Sequence, residues 1–154
     1  NLSYMIQKYK KDIWGAIETT LPFNRDMNFF GMPDTLYTPI FDRMIAELNR
    51  GYSFVLGTFK TVVPARFGII IDDKIVNKST TLPVGPVYDA WGTLAWSKSV
   101  SSWWREMSEK GKISTYTEAF NLAMNYFNWT TVPMGSGEYL DFASFDDYQK
   151  FISS

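Results

Sequence analysis

The sequence predicts a mainly helical α+β fold, a bundle of about four helices with a small β-hairpin or meander inserted at about residues 52–78. Apolar residues recur at helical spacing in four segments, which is typical of amphipathic helices. β-Branched runs separated by short polar turns occur only in the middle of the chain. The 154 residues contain no internal repeat or linker, so we expect one domain over residues 1–154.

The first predicted helix covers the amino-terminal residues. Its apolar stripe ends where Leu21-Pro22 stops the helix, and the stripe consists of Leu2, Met5, Ile6, Tyr9, Ile13, Ala16 and Ile17. The following segment, residues 22–34, is unusually apolar for a loop because it carries Phe29 and Phe30. We therefore expect this loop to pack on the core or on a partner.

The second helix and the β element follow. Thr38 is a predicted N-cap with Pro39 at the first helical position, and Gly51 ends the helix. Tyr52, Phe54, Leu56 and Thr58 alternate with smaller residues, as is typical of a strand. Two further short strands are predicted on either side of Asp72-Asp73, a dipeptide that favours a hairpin turn.

The segment 87–107 is predicted to be helical, with an apolar face that changes sides halfway along. At 100° per residue, one arc holds Val87, Tyr88, Trp91, Leu94 and Ala95. A second arc about 150° away holds Trp96, Val100, Trp103, Trp104 and Met107. A helix that packs on one core keeps a single stripe. The segment is therefore either one helix serving two packing environments, or two elements with a break near Gly92 or within 97–102.

The carboxyl-terminal part has clear helix signals. Thr115 and Glu118 form a capping box, T-x-x-E, that predicts a helix with apolar residues on one face. Residues 128–132 are predicted to be extended, and 135–137 to form a flexible turn. Ser144 to Asp147 resembles a second capping box, which predicts a short terminal helix.

Composition limits the chemistry that the chain can perform. Histidine and cysteine are both absent, which removes the commonest general base, thiol nucleophiles, disulfides and the usual zinc ligands. The net charge is −1 and gives no obvious nucleic-acid-binding face. No apolar run is long enough to predict a transmembrane helix. These absences favour a protein that is not an enzyme, with no cofactor, and they leave its localisation open.

Several acidic groups are candidate sites, but each has a simpler structural explanation. Asp72-Asp73, with Asp89, has the oxygen ligands that a divalent cation prefers, but a hairpin turn explains the pair better. Asp146-Asp147 is better explained by a helix start, where negative charge is favourable. Glu106 and Glu109 have basic neighbours and are typical of a solvated helix end.

The basic and glycine-rich segments are equally weak candidates. Lys8, Lys10 and Lys11 spread over about 160° of a helix and form no compact phosphate-binding patch. Gly135-Ser136-Gly137 lacks the spacing of a phosphate-binding loop. Asn-x-Ser/Thr sequons at Asn1, Asn77 and Asn128 matter only in an exported chain. No catalytic, cofactor-binding or metal-binding residue is therefore predicted.

The aromatic side chains are the strongest signal of an interaction. Six Trp, nine Tyr and twelve Phe make 18% of the chain aromatic, and buried Trp and Tyr are frequent anchors of interfaces. The interface is predicted on the second arc of 87–107 and on the apolar loop, at Trp96, Val100, Trp103, Trp104, Met107, Phe29 and Phe30. The alternative is that both arcs face one core.

These observations favour a non-catalytic assembly or interaction protein, such as a viral coat or filament subunit or a partner-binding effector. Its partner would be a second copy of itself or another protein. The alternative is a carbohydrate- or nucleic-acid-binding domain, or a hydrolase that depends on carboxylates or a divalent metal. Trp and Tyr would then stack on rings beside carboxylates such as Asp72, Asp73, Asp89 or Glu106. A third hypothesis is a peripheral membrane protein.

Overall fold

The computed structural model describes residues 12–23, 25–32, 35–36, 40–135, 139–141, 148–149 and 152. In chain order, the helices and strands are α1 (Ile13–Thr20), β1 (Met27–Gly31), β2 (Thr35–Leu36), α2 (Phe41–Asn49), β3 (Phe54–Thr61), β4 (Gly68–Ile71), β5 (Lys74–Asn77), β6 (Tyr88–Ser97), α3 (Lys98–Glu109), α4 (Tyr116–Tyr126), β7 (Trp129–Pro133) and β8 (Leu140–Asp141). None of the described helices is long and apolar enough to cross a membrane.

A mixed β-sheet organises the molecule, so the predicted mainly helical bundle is wrong. Six of the described strands form this sheet in the order β5-β4-β6-β3-β7, with β1 also paired to β6. The β3–β7 pair is parallel, and the other pairs in the sheet are antiparallel. Helices α1, α3 and α4 cover one face of the sheet and α2 covers the other, which is a three-layer α/β arrangement.

Strand β6 replaces the first half of the predicted 87–107 helix. Its residues from Ala90 to Trp96 are all buried, because both faces of this central strand are covered by helices. A strand buried on both faces has no apolar/polar alternation, which is why its sequence does not look like a strand. Helix α3 follows at Lys98 with no intervening loop. The change of apolar face near Trp96 therefore marks a strand-to-helix junction.

Strand β1 occupies much of the segment that was expected to be an apolar loop. It pairs with β6 from Met27, opposite Ser97, to Gly31, opposite Thr93. Its Phe30 packs against the core cluster on the α1 side of the sheet, whereas Phe29 is 39% exposed and contacts Phe41 edge-on. The apolar residues of 22–34 are thus explained in part by a strand.

Two hydrophobic clusters lie on opposite faces of the sheet, and a β-bulge changes which residues of β6 enter each. Gly57 is paired with Thr93, but Thr58 is paired with Trp91, so Gly92 is the extra residue of a bulge. Before the bulge, the even-numbered Ala90 faces α2; after it, the odd-numbered Ala95 does so. A one-residue insertion produces this change of face because side chains alternate along a strand.

Several local predictions outside β6 and β1 agree with the structure, but the predicted starts of the first two helices do not. The strands around residues 54–77, the turn at 72–73, the extended residues 129–133 and the capping box of α4 are confirmed. Helix α1 begins at Ile13, and α2 begins after Ile40 rather than after Thr38. Residues 1–11, 37–39 and 142–147 lie outside the described residues. The predicted first part of helix one, the Thr38-Pro39 cap and the start of the terminal helix fall on them. One domain over 1–154 stays a prediction.

Candidate functional site

The candidate site lies where two strands separate along the same edge of β6. Strand β1 pairs with β6 as far as Thr93, and β4 pairs with it from Ala90. Trp91 and Gly92 lie between these two partners, next to the bulge. A cavity of about 140 Å³ opens at this gap. Gaps between strand ends are frequent ligand sites in α/β proteins, because loops and backbone groups converge there.

Two cationic side chains line the cavity. Arg66 lies in the turn before β4, with its guanidinium 5.7 Å from the centre of the Phe67 ring, and Lys78 directly follows β5. The backbone N–H of Lys78 donates to the carbonyl oxygen of Phe67 at 3.0 Å, which holds the two segments together. Among the described residues that line the cavity there is no Asp or Glu. The positive charge of Arg66 and Lys78 therefore favours an anionic ligand in this cavity.

The backbone of Lys78 is in the left-handed region, with φ of 41°. A lysine in this conformation costs conformational energy, and such strain is concentrated at functional positions. This left-handed residue lies directly after β5, at the wall of the cavity.

Four aromatic residues line another part of the wall. Phe67, Trp91, Tyr116 and Tyr139 line the cavity, and the Tyr139 ring stacks on Phe59 with centroids 3.9 Å apart and planes at 6°. Trp91 contacts Tyr116 at 5.4 Å. This combination of cations and rings suits a ligand with both a charged group and an apolar face.

Two glycines allow these rings to approach the backbone. A Cβ atom at Gly68 would lie 2.3 Å from Nε1 of Trp91, and a Cβ at Gly92 would lie 2.5 Å from the Tyr139 ring. Neither distance is compatible with a side chain at these positions unless the rings move. The shape of the cavity therefore depends on both glycines.

Hydrogen bonds hold the end of β5 against α4. The Tyr116 hydroxyl donates to Oδ1 of Asn77, the residue before Lys78. The side-chain amide of Asn121 accepts from the backbone N–H of Ile75 at 2.6 Å and donates to its carbonyl oxygen at 3.0 Å. Burial, and to a smaller extent the nearby Asp12 carboxylate, raise the pKa of Tyr116, while Thr117 and Trp91 offset part of the increase. Tyr116 is therefore a neutral phenol at ordinary pH.

The acidic candidates from the sequence do not meet in a site. Asp72 and Asp73, with φ of 48° and 57°, form the two-residue turn between β4 and β5, as expected for a hairpin. Asp89 forms an ion pair with Lys60, at 2.8 Å. Glu106 pairs with Lys110 on the surface of α3. No group of three or more acidic side chains that could hold a metal occurs among the described residues.

The residues of the predicted interface have different environments. Trp96, Val100 and Trp104 are buried in the core of this chain. Trp103 and Met107 are half-buried against that core, and Trp103 stacks on Tyr126 with centroids 5.0 Å apart. The role of the set in association stays a prediction. The lysines 8, 10 and 11, the pair 146–147 and residues 136–137 lie outside the described residues.

Sequence reasoning did not identify the cavity. Trp91 and Tyr116 fit the pattern of core residues, and Arg66 was considered in no motif. Asn77 was noted only as a sequon, and Lys78 was not considered. Glycine within a strand pattern signals a bulge or a close approach of other groups, so Gly68 and Gly92 are the positions that could have indicated the site.

The fold is similar to two solved structures of nucleotidyltransferases. One is a proposed glucose-1-phosphate thymidylyltransferase from Bacillus anthracis in complex with sucrose; the TM-score is 0.78 and the identity 20%, over 96% of this chain and 62% of that one. The other is a UTP-bound UGPase from Acinetobacter baumannii, with a TM-score of 0.68 and 16% identity, over 90% of this chain and 54% of that one. The sequence itself matches no family model and no curated protein.

These likenesses correct the function expected from the sequence. The fold is similar to that of these two nucleotidyltransferase structures, which contradicts the expected non-catalytic helical building block such as a viral coat or filament subunit. The expectation relied on the absence of histidine and cysteine. That absence does not exclude phosphoryl or nucleotidyl transfer, because catalysis of these reactions depends mainly on positioning and charge stabilisation.

Proposed function

We propose that this chain forms the part of a sugar-phosphate nucleotidyltransferase that binds the sugar phosphate. The observation that supports this best is the cavity beside Trp91 and Gly92, lined by Arg66, Lys78 and four aromatic rings. It lies in a fold shared with proteins named as a glucose-1-phosphate thymidylyltransferase and a UGPase. The chain spans 62% and 54% of the length of those proteins, and we place the sugar phosphate in this cavity.

The cavity wall matches the two halves of a sugar 1-phosphate. The phosphate is an anion, and hydrogen bonds from Arg and Lys to phosphate oxygens are among the stronger ones in proteins. Both cations come from the segments joined by the hydrogen bond between Lys78 and Phe67. The sugar has C–H faces that pack on aromatic rings and hydroxyl groups that require polar partners. The rings of Trp91, Tyr116 and Tyr139 lie on the same wall, together with Thr35, whose hydroxyl donates to the carbonyl oxygen of Met32.

The reaction consistent with this site is transfer of a nucleotidyl group to the sugar phosphate. An oxygen of the sugar phosphate would attack the α-phosphorus of a nucleoside triphosphate. The new P–O bond joins the two phosphates, the bond to the β-phosphate breaks, and pyrophosphate leaves with the electron pair. Arg66 and Lys78 would hold the attacking phosphate and reduce its repulsion from the triphosphate. None of these steps requires a histidine or a thiol.

Binding of glucose 1-phosphate to the purified protein tests the proposal. We expect saturable binding by calorimetry that is weakened about tenfold or more by Lys78→Ala, because a charge-assisted contact to phosphate is lost. Lys110→Ala is the matched control, since it removes the same charge from a surface pair with Glu106. Release of pyrophosphate from dTTP or UTP in the presence of glucose 1-phosphate would show in addition that this chain binds the nucleotide and carries out the transfer.

Two results would contradict this assignment. The first is the absence of saturable binding of glucose 1-phosphate by the unaltered protein. The second is equal affinity in the Lys78→Ala and Lys110→Ala variants, which would place the ligand elsewhere. Pyrophosphate release that does not depend on the sugar phosphate would show that the chain acts on another acceptor.

We also propose that the enzyme self-associates through the exposed part of the aromatic set. Phe29 is 39% exposed and Trp103 is half-buried. The other members, Trp96, Val100 and Trp104, are buried in the core. Light scattering over a range of concentrations measures this association. A mass of about 18 kDa at every concentration would exclude it, since the chain has a mass of 17.8 kDa.

A further inference from the structure

The indole N–H of Trp91 is a buried donor without a hydrogen bond. The side chain is 6% exposed, and among the described residues Nε1 has no hydrogen-bond partner. It lies near the Tyr116 hydroxyl and lowers the pKa of that phenol slightly, but it does not reach ordinary hydrogen-bond geometry. A donor left unpaired in this way destabilises the folded protein. A hydrogen bond to a ligand would remove this cost.

The N–H edge of the indole lies at the wall of the cavity. It is directly over Gly68, where a Cβ atom would be 2.3 Å from Nε1 and 3.3 Å from the Tyr116 hydroxyl. Gly68, Trp91 and Tyr116 all line the cavity. Because residue 68 has no side chain, only the backbone of Gly68 lies next to the buried N–H on this side. Among the described residues, the only other buried indole N–H without a hydrogen bond is that of Trp14. Trp14 lies in the core and does not line the cavity.

The orientation of the indole is fixed before any ligand binds. Trp91 is paired with Thr58 in β3, and its ring contacts Phe120 edge-on at 5.0 Å and Tyr116 at 5.4 Å. A donor held in this way loses little conformational freedom on binding, which favours both affinity and selectivity.

We propose that Nε1 of Trp91 donates a hydrogen bond to a neutral oxygen of the sugar, either a hydroxyl or the ring oxygen. This inference rests on the proposed function. The cations Arg66 and Lys78 satisfy the phosphate, whereas an indole is a neutral donor in an aromatic wall and matches a neutral acceptor. A site with a buried unpaired donor discriminates against ligands that lack the matching acceptor, because only the correct ligand removes the penalty.

The test replaces the N–H and measures stability and affinity separately. Protein with 3-benzothienylalanine in place of Trp91 keeps the fused ring, so we expect an unchanged or higher Tm. Trp91→Phe also loses buried ring contacts and should lower the Tm. In both variants, affinity for glucose 1-phosphate should fall about fivefold to tenfold, while affinity for inorganic phosphate is unchanged. A merely structural tryptophan would instead leave the ratio of the two affinities constant.

Trp14→Phe is the matched control. It removes the other orphan N–H, so it should leave both affinities unchanged. The inference about Trp91 would be wrong if both Trp91 variants kept their affinity for glucose 1-phosphate. It would also be wrong if the variants bound glucose 1-phosphate and inorganic phosphate equally more weakly. Neither result would contradict the proposed function. If the unaltered protein bound no glucose 1-phosphate, the proposed function and this inference would both be wrong.

Discussion

The carboxylate of Asp12 joins the amino termini of two helices that are distant in sequence. Its Oδ1 accepts from the backbone N–H of Trp14, at 2.8 Å, and caps α1. Its Oδ2 accepts from the backbone N–H of Tyr116, at 3.2 Å, in the first turn of α4. Unpaired N–H groups at a helix start need such partners. Because Ile13 and Tyr116 both line the cavity, this one side chain aligns two parts of its wall.

Asp12→Ala should therefore destabilise the fold and disturb the site together. We expect a loss of about 1–2 kcal/mol in the free energy of unfolding, at the upper end for an N-cap because two helices are affected. Urea denaturation measures the loss. Asp42→Ala is the control: Asp42 lies in the first turn of α2, whose N-cap is Ile40, and we expect a smaller change. Equal losses in the two variants would show that Asp12 acts only as an ordinary helix-start charge.

The capping box of α4 predicts a dependence of stability on acidic pH. Hydrogen bonds from the backbone N–H groups of Ser114 and Thr115 lower the pKa of Glu118 from its ordinary value of 4.5. A carboxylate with a lowered pKa in the folded state stabilises the fold above the unfolded value, and the contribution is lost as pH falls through the folded value. The Tm advantage over Glu118→Gln should thus be present at pH 7 and shrink below about pH 4.5. A difference independent of pH would contradict this account.

Tyr116 predicts the opposite dependence at alkaline pH. Burial, followed by smaller contributions that include the Asp12 charge, raises its pKa above 10.0. The contribution of a group with a raised pKa is complete below the unfolded value and is lost as pH rises through the folded value. Tyr116→Phe removes the hydrogen bond to Asn77 and should cost about 1 kcal/mol at pH 7. The cost should shrink above pH 10, measured by urea denaturation with Tyr126→Phe, an exposed position, as control.

The sequence predicted the elements whose signals are local. The Asp72-Asp73 turn requires two adjacent residues that tolerate positive φ, and the Thr115–Glu118 capping box is defined within four residues. Both occur as expected. Each is determined by hydrogen bonds between near neighbours in the chain, so no knowledge of the tertiary fold was necessary.

The fold class was wrong because its decisive strand lacks a local signal. Residues 90–96 are buried on both faces, so their pattern fits a buried strand and a buried helix equally well. The bulge at Gly92 further shifts the alternation between Ala90 and Ala95. Only the pairing of β6 with β1, β3 and β4 distinguishes the alternatives, and these pairings join residues far apart in the chain.

The candidate site depended on the same long-range pairings. Arg66 and Lys78 approach Trp91 only because β4 and β5 form a hairpin that pairs with β6. Tyr116 reaches Asn77 across 39 residues of sequence. In the sequence these are ordinary core or surface residues, and only the strand glycines at 68 and 92 carry a signal of close approach.

The two adjacent tryptophans of α3 should differ sharply in their effect on stability. Trp104 is fully buried, donates from Nε1 to the carbonyl oxygen of Ala119 at 2.9 Å and contacts Trp14 edge-on. Trp104→Ala should cost about 3–5 kcal/mol. Trp103 is half-buried and stacks on Tyr126, so Trp103→Ala should cost about 1 kcal/mol. Equal losses in urea denaturation would contradict the packing, and a change of solution mass in Trp103→Ala alone would support self-association.

The bulge residue Gly92 and the ring of Tyr139 should be coupled energetically. A Cβ at residue 92 would lie 2.5 Å from Cε2 of Tyr139 and 2.9 Å from the methyl carbon of Met134, so Gly92→Ala forces both side chains to move. We expect Gly92→Ala to cost about 1–3 kcal/mol, as overpacking of a core does. In a Tyr139→Ala background the cost should be at least about 0.5 kcal/mol smaller, because one clash is removed. Phe41→Ala, an exposed ring on another part of the surface, is the control background. Additive costs in the Tyr139 cycle would mean that the Tyr139 ring is not held against the bulge, and the cavity wall would then have a different shape.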